Sequence, residues 1–202
     1  MGAYAILLAF GLVPEELRGK TVNRLAMLIH ENGDRLDTGF LATPFLLDAL
    51  WENGERDLAW TLLMQPEAPS WLYEVRNGAT TIWESWYGYK EDGTPADVSM
   101  NHYAFGCVAD WMFKVIGGIR QDDPGFRHLT IAPVPGAGIV SAQRSFRTSN
   151  GWASASWSSD EDAFKLSVTI PCNARATVIL PNGDSHEVGS GTYEFSCERE
   201  ER

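Results

Sequence analysis

One carboxylate, Glu84, stands between two indoles in the run Gly-Ala-Thr-Thr-Ile-Trp-Glu-Ser-Trp, residues 78–86. A lone glutamate flanked by Trp83 and Trp86 is not the pattern of a solvated charge. Indole faces accept the apolar face of a sugar ring, and a low-dielectric wall disfavours the ionised form of a carboxylate. Further on, Ser-Met-Asn-His-Tyr-Ala-Phe-Gly, residues 99–106, brings an imidazole, His102, next to Asn101 and Tyr103. Carboxylate, imidazole and aromatic rings are the parts of a carbohydrate site. Trp71 with Tyr73 either lines the same cleft or closes a loop, and the loop is the expected role.

Elements must position these groups, and the first half of the chain reads as helices. Val22, Leu25, Ala26 and Ile29 fall at helical spacing, with Asn32-Gly33 as a stop. Thr43-Pro44 reads as an N-cap followed by proline at the first helical position. Leu46, Leu47, Leu50 and Trp51 then form an apolar face, ended by Asn53-Gly54, and Leu58, Ala59, Leu62 and Leu63 form another. Short helix pairs with tight glycine breaks are the rhythm of an α/α array. The strongest helix is predicted from Ser99, through Met100, Tyr103, Ala104, Cys107, Val108, Trp111, Met112, Val115 and Ile116 to the break at Gly117-Gly118, and buried on most sides. Asn101 and His102 would sit in its first turn, facing a cleft.

The composition changes near residue 120. Pro124, Pro133 and Pro135 mark a linker, after which Phe164, Leu166, Val168 and Ile170 alternate, as do Ala176, Val178 and Leu180, and Tyr193 and Phe195. Asn150-Gly151 and Asn182-Gly183 are hairpin signals, and Gly136-Ala137-Gly138 reads as a turn. Several short strands at this spacing predict a small antiparallel β-sandwich. The expected organisation is a helical domain over residues 1–120 and a β-sandwich over residues 121–202.

Composition excludes some partners. The net charge is −11, and no basic block occurs, which argues against nucleic acid and anionic membranes. The eight tryptophans suit a sugar-binding protein and a well-packed core equally. Cys107, Cys172 and Cys197 have no metal-like spacing. Cys107 reads as a buried free thiol, Cys172 and Cys197 could pair, and a reducing, cytoplasmic setting fits best. His30, His128 and His186 have no partner spacing for a metal, and no cofactor is expected. Met1–Val13 is apolar but lacks a basic start and a cleavage site, so a core helix is expected rather than an export signal.

Taken in order, four segments resemble the C-terminal part of the bacterial α-L-rhamnosidases of glycoside hydrolase family 78. They are Asp37-Thr38-Gly39-Phe40-Leu41-Ala42-Thr43-Pro44, Pro69-Ser70-Trp71-Leu72-Tyr73, residues 78–86, and Asn101-His102-Tyr103-Ala104-Phe105-Gly106. Gly117-Gly118-Ile119-Arg120 and Pro124-Gly125-Phe126-Arg127 look like the family's exit from its barrel. The resemblance implies the end of an (α/α)6 barrel followed by a β-sandwich, and hydrolysis of rhamnose-containing glycosides with inversion. It implies Glu84 as the general base and His102 as a sugar contact. Trp83, Trp86, Asn101 and Trp71 are the further substrate-binding candidates, with core packing the alternative for Trp83 or Trp86. Inversion needs two carboxyls about 6.5–9.5 Å apart with water between.

The chain departs from the pattern in one respect: no segment matches the family's acidic, Trp-containing general-acid motif. Glu74 is the weak internal candidate for a second carboxylate. Glu74, Asp92 and Asp97 otherwise read as solvated loop acids. A partial barrel would leave apolar helix faces open to a missing N-terminal barrel half or to self-association. The alternatives are a non-catalytic sugar-binding remnant and an (α/α)6 glycosidase for another deoxy sugar such as L-fucose. For Glu84 itself the alternative is a structural carboxylate bonded to backbone N–H groups, and for His102 a satisfied structural histidine.

Overall fold

The computed structural model describes residues 1–90 and 92–198. The chain divides into two compact units between Ala109 and Asp110. The first carries α1 (Gly2–Ala9), α2 (Glu15–Glu31), α3 (Thr43–Glu52), α4 (Arg56–Leu63) and α5 (Trp71–Arg76). Each buries the stripe its spacing announces. Val22, Leu25, Ala26 and Ile29 are the buried residues of α2. Leu46, Leu47, Leu50 and Trp51 are buried in α3, and Leu58, Ala59, Leu62 and Leu63 in α4. Each fully buried Leu or Ile contributes about 1.5–3 kcal/mol. Glycines stop the helices where the chain must turn left-handed: Gly33 at φ 70° after α2 and Gly54 at φ 92° after α3.

Three local expectations change in this unit. The cap of α3 is Ala42, and Thr43 is its first residue. The Thr43 hydroxyl faces back, 2.8 Å from the Thr38 hydroxyl and donating to the Gly39 carbonyl at 3.0 Å. Residues 71–76 form α5 rather than a loop, because the Ser70 hydroxyl caps it by accepting from the Tyr73 N–H at 3.1 Å. In α1 only Ala5 and Leu8 are buried, while Leu7, Phe10 and Leu12 are exposed.

The long helix predicted from Ser99 does not form. A 3-10 turn covers Ala104–Cys107, and the α-helix that follows, α6, is only Val108–Val115. The reason is tertiary. Backbone groups of Ser99, Met100 and His102 bond to residues 81–84, so they are unavailable for helical pairing. Tyr103, expected inside, is 89% exposed, and Met112 and Phe113 are also exposed.

The second unit holds two four-stranded sheets. One has the order β1 (Ile119–Gln121), β2 (His128–Ile131), β6 (Arg175–Ile179), β7 (Ser185–Val188). The other has β3 (Ser141–Thr148), β4 (Gly151–Ser159), β5 (Ala163–Ile170), β8 (Gly191–Glu198). Phe164, Leu166, Val168 and Ile170 alternate inward from β5, and Ala153, Ala155 and Trp157 from β4. The hairpin at Asn150-Gly151 joins β3 to β4, and that at Asn182-Gly183 joins β6 to β7. One pairing departs from the all-antiparallel expectation: β2 runs parallel to β6, with His128 opposite Arg175. A parallel pair needs a long crossover, and here β3, β4 and β5 supply it.

Trp157 donates its indole N–H to the Ile116 carbonyl at 2.7 Å, and Arg144 donates to the carbonyls of Phe113 and Ile119 at 2.8 and 2.5 Å. The bonds to Phe113 and Ile116 satisfy carbonyls in and just after the last turn of α6, and the bond to Ile119 reaches β1. The guanidinium of Arg144 also lies over the rings of Phe113 and Phe146, and burial holds its pKa below the usual arginine range. Cys172 and Cys197 do not form a disulfide; Cys107 is half-buried rather than buried, and Cys172 is exposed. No helix of the described residues is long and apolar enough to cross a membrane.

Candidate active site

Two irregular segments of the first unit, residues 81–84 and 99–102, run alongside each other and are tied together by hydrogen bonds. The Thr81 hydroxyl donates to the Met100 carbonyl. The His102 N–H donates to the Ile82 carbonyl at 2.8 Å, and the Glu84 N–H to the Ser99 carbonyl at 2.9 Å. The Glu84 side chain then turns back, and its Oε2 accepts the Ser99 N–H at 2.8 Å. Glu84 is half-buried. A carboxylate anchored through one oxygen and reachable by solvent is a competent proton acceptor. The bond to Ser99 is also one that a structural carboxylate makes.

His102 is held in a slot between rings. Its imidazole stacks on Phe40 at 5.0 Å and 19°, and on Tyr103 at 5.4 Å and 9°. Its Nδ1 accepts the Ala104 N–H at 3.2 Å. With Nδ1 as acceptor, the neutral ring carries its proton on Nε2, a donor suited to a sugar hydroxyl. Phe40 is 42% exposed, so Phe40, His102 and Tyr103 form a row of rings with open surface beside them. Asn101 is exposed and lies in the loop rather than in a helix.

The indoles occupy different positions. Trp71, Trp83 and Trp86 are 5%, 3% and 8% exposed. Trp71 donates its N–H to the Phe105 carbonyl at 2.9 Å and meets Trp86 edge-on at 5.6 Å. Trp86 stacks on Phe105 at 3.7 Å and 19°. Trp83 meets Tyr89 edge-on at 5.4 Å. At this burial they are packed within the helical unit rather than set out as an open platform.

Glu74 also departs from its sequence reading. It is not a loop acid but lies in α5, 1% exposed, with Oε2 accepting the Trp83 N–H at 3.1 Å. Burial pushes its carboxyl up to about 7, against a smaller lowering by that hydrogen bond. Buried this far, Glu74 cannot reach a glycosidic oxygen, and its candidacy as a second catalytic carboxylate ends. Asp92 is a solvated acid as expected, with the Thr94 hydroxyl and N–H holding its pKa below the usual range. Sequence reasoning gave Phe40 no role at the site and missed the Ser99 backbone. Neither carries a periodic or charge signal, and only the fold brings them to His102 and Glu84.

Known proteins match this arrangement along nearly its whole length. The model of the bacterial alpha-L-rhamnosidase 6 hairpin glycosidase domain matches residues 1–116, and that of the bacterial alpha-L-rhamnosidase C-terminal domain matches residues 118–194. This chain belongs to the bacterial α-L-rhamnosidase family. Its helices are part of that family's (α/α)6 barrel, and its sheets are the C-terminal β-sandwich. An alpha-L-rhamnosidase of Streptomyces avermitilis is 40% identical over 182 residues, and one of Formosa agariphila 38% over 197. The crystal structure of Streptomyces avermitilis alpha-L-rhamnosidase complexed with L-rhamnose is similar with a TM-score of 0.93 at 35% identity, over 97% of this chain and 21% of that one. That of native rhamnosidase from Aspergillus terreus gives 0.91 at 37%, over 98% of this chain and 24% of that one. The two curated relatives are matched over 89% and 96% of this chain but only 18% and 21% of their own length. The chain therefore spans about a fifth of a rhamnosidase.

Proposed function

We propose that this chain carries the general-base part of an inverting α-L-rhamnosidase site, releasing terminal L-rhamnose from glycosides. The observation that carries the reading is the anchoring of Glu84: Oε2 accepts the Ser99 N–H, in a segment whose Ile82 carbonyl accepts the His102 N–H, and His102 stacks with Phe40 and Tyr103. Oε1 takes the proton from a water as that water attacks the anomeric carbon. The C–O bond to the aglycone breaks with inversion, and an acid must protonate the leaving oxygen. That acid comes from the remaining four fifths of a rhamnosidase's length, since Glu74 is buried. His102 donates from Nε2 to a sugar hydroxyl, and Asn101 borders the same space.

The exposed apolar side chains of Leu7, Phe10, Leu12 and Leu41 are where the rest of the barrel, or a second copy, covers this unit. Cys172 and Cys197, which form no disulfide, support a reducing, cytoplasmic setting.

The test is hydrolysis of an aryl α-L-rhamnoside by an enzyme completed with the upstream barrel, comparing Glu84 with Glu84→Gln. The expected result is a kcat lower by about 10²-fold or more with binding retained. Near-normal kcat would overturn the assignment. The 202-residue chain assayed alone is expected to bind L-rhamnose without turnover. Glu84-dependent turnover there would place an acid within these residues.

A further inference from the structure

The proposed reaction leaves one buried ionisable group unused. Glu74 is 1% exposed, its Oε2 accepts the Trp83 N–H, and its Oε1 is buried with no hydrogen-bond partner among the described residues. A buried carboxyl with an orphan oxygen costs about 1–3 kcal/mol, which an apolar side chain of similar shape avoids. What it supplies is an acceptor at one position: the backbone of the residue before Glu84.

Its main chain grips the same segment. The Glu74 carbonyl accepts the Ala79 N–H at 3.0 Å, so one residue of α5 holds the chain at 79 through its backbone and at 83 through its side chain. Trp83 transmits the hold because its ring has no slack. It is 3% exposed, and a methyl group added at Gly88 would lie 2.3 Å from its Cε3. The other side of Glu84 is fixed separately, by the Ser99 backbone.

We infer that Glu74 is a positioning residue for Glu84: by accepting the Trp83 N–H it fixes the backbone from which the catalytic base projects. This rests on the assignment of Glu84 as the base. The role needs an acceptor and not a charge, so glutamine, which offers a side-chain carbonyl of the same reach, fills it. Leucine fills the volume without an acceptor, and aspartate is one methylene too short.

The experiment uses the completed enzyme and an aryl α-L-rhamnoside, with Glu74→Gln, Glu74→Leu, Glu74→Asp, Glu84→Gln and the Glu74→Leu/Glu84→Gln double variant. Glu74→Leu is expected to lower kcat about tenfold with KM within about threefold, as a displaced catalytic group does, and Glu74→Gln to stay within about twofold of the parent. In the double variant, Glu74→Leu should add less than about twofold to the loss from Glu84→Gln, because there is no base left to misplace. If Glu74→Leu does not fold, Glu74→Asp takes its place under the same criteria. Three results would overturn the inference while leaving the base assignment intact. They are glutamine as damaging as leucine, leucine without effect on kcat, and leucine costing the same factor with and without Glu84. Near-normal kcat in Glu84→Gln removes the base assignment, and the inference with it.

Discussion

Glu84 and Ser99 exchange two hydrogen bonds: the Glu84 N–H donates to the Ser99 carbonyl at 2.9 Å, and the Ser99 N–H donates to Glu84 Oε2 at 2.8 Å. Both contacts on Ser99 are backbone. Its side chain bonds only locally, with Asn101. Ser99→Ala is therefore expected to keep kcat within about twofold, whereas Ser99→Pro, which has no N–H to offer, should lower it about tenfold or more. Steady-state kinetics of the completed enzyme decide it, and equal effects from the two substitutions would refute the role of the N–H.

The proposed role of His102 is to bind the sugar through Nε2, its Nδ1 accepting the Ala104 N–H. His102→Ala should raise KM about tenfold, which corresponds to about 1.4 kcal/mol of lost binding, with a smaller change in kcat. A collapse of kcat at unchanged KM would assign His102 to the chemical step instead.

Glu74 links stability to pH. Folding raises its pKa from 4.5 to about 7, so the folded state holds a proton that the unfolded chain has released. The contribution favours folding below pH 4.5 and is lost as pH rises through 7, amounting to about 3 kcal/mol if the whole shift is realised. Denaturant unfolding at pH 5 and pH 8 should show a smaller pH dependence for Glu74→Gln than for the parent. Equal slopes would mean that the Glu74 carboxyl does not carry the linkage.

The exposed face of the helical unit should govern association of the isolated chain. Phe10 is 59% exposed and Leu12 64%, both just past the end of α1. Size-exclusion chromatography is expected to show concentration-dependent self-association, reduced by a Phe10→Ser/Leu12→Ser pair. A stable monomer at all concentrations would count against an unpartnered face.

The parts of this molecule legible in its sequence are those set by neighbours along the chain. The inward alternation of Phe164, Leu166, Val168 and Ile170 and the buried stripe of α2 follow from period alone. Glu84 and His102 drew notice by type and company, and the fold bonds the segments that carry them. The segment from Ser99 misled because its apolar spacing is helical while its backbone is committed to residues 81–84, a pairing no local pattern encodes. The buried tryptophans and Glu74 show the same limit. Residue type announces an indole or a carboxylate, but which side of a wall it faces depends on segments such as Gly88 and Phe105.

The parallel pairing of β2 with β6 sets an order on synthesis from the ribosome. Thr177, which bonds to the His128 ring, is 49 positions further along the chain. While β3, β4 and β5 can zip through short turns as they emerge, β2 must wait with one edge bare until all three have passed and β6 arrives. Closing so distant a pair is slow, and a bare edge is a template for the wrong strand. A pause in translation before Arg175–Ile179 has emerged would prolong that exposure, whereas one after the strand has emerged would not.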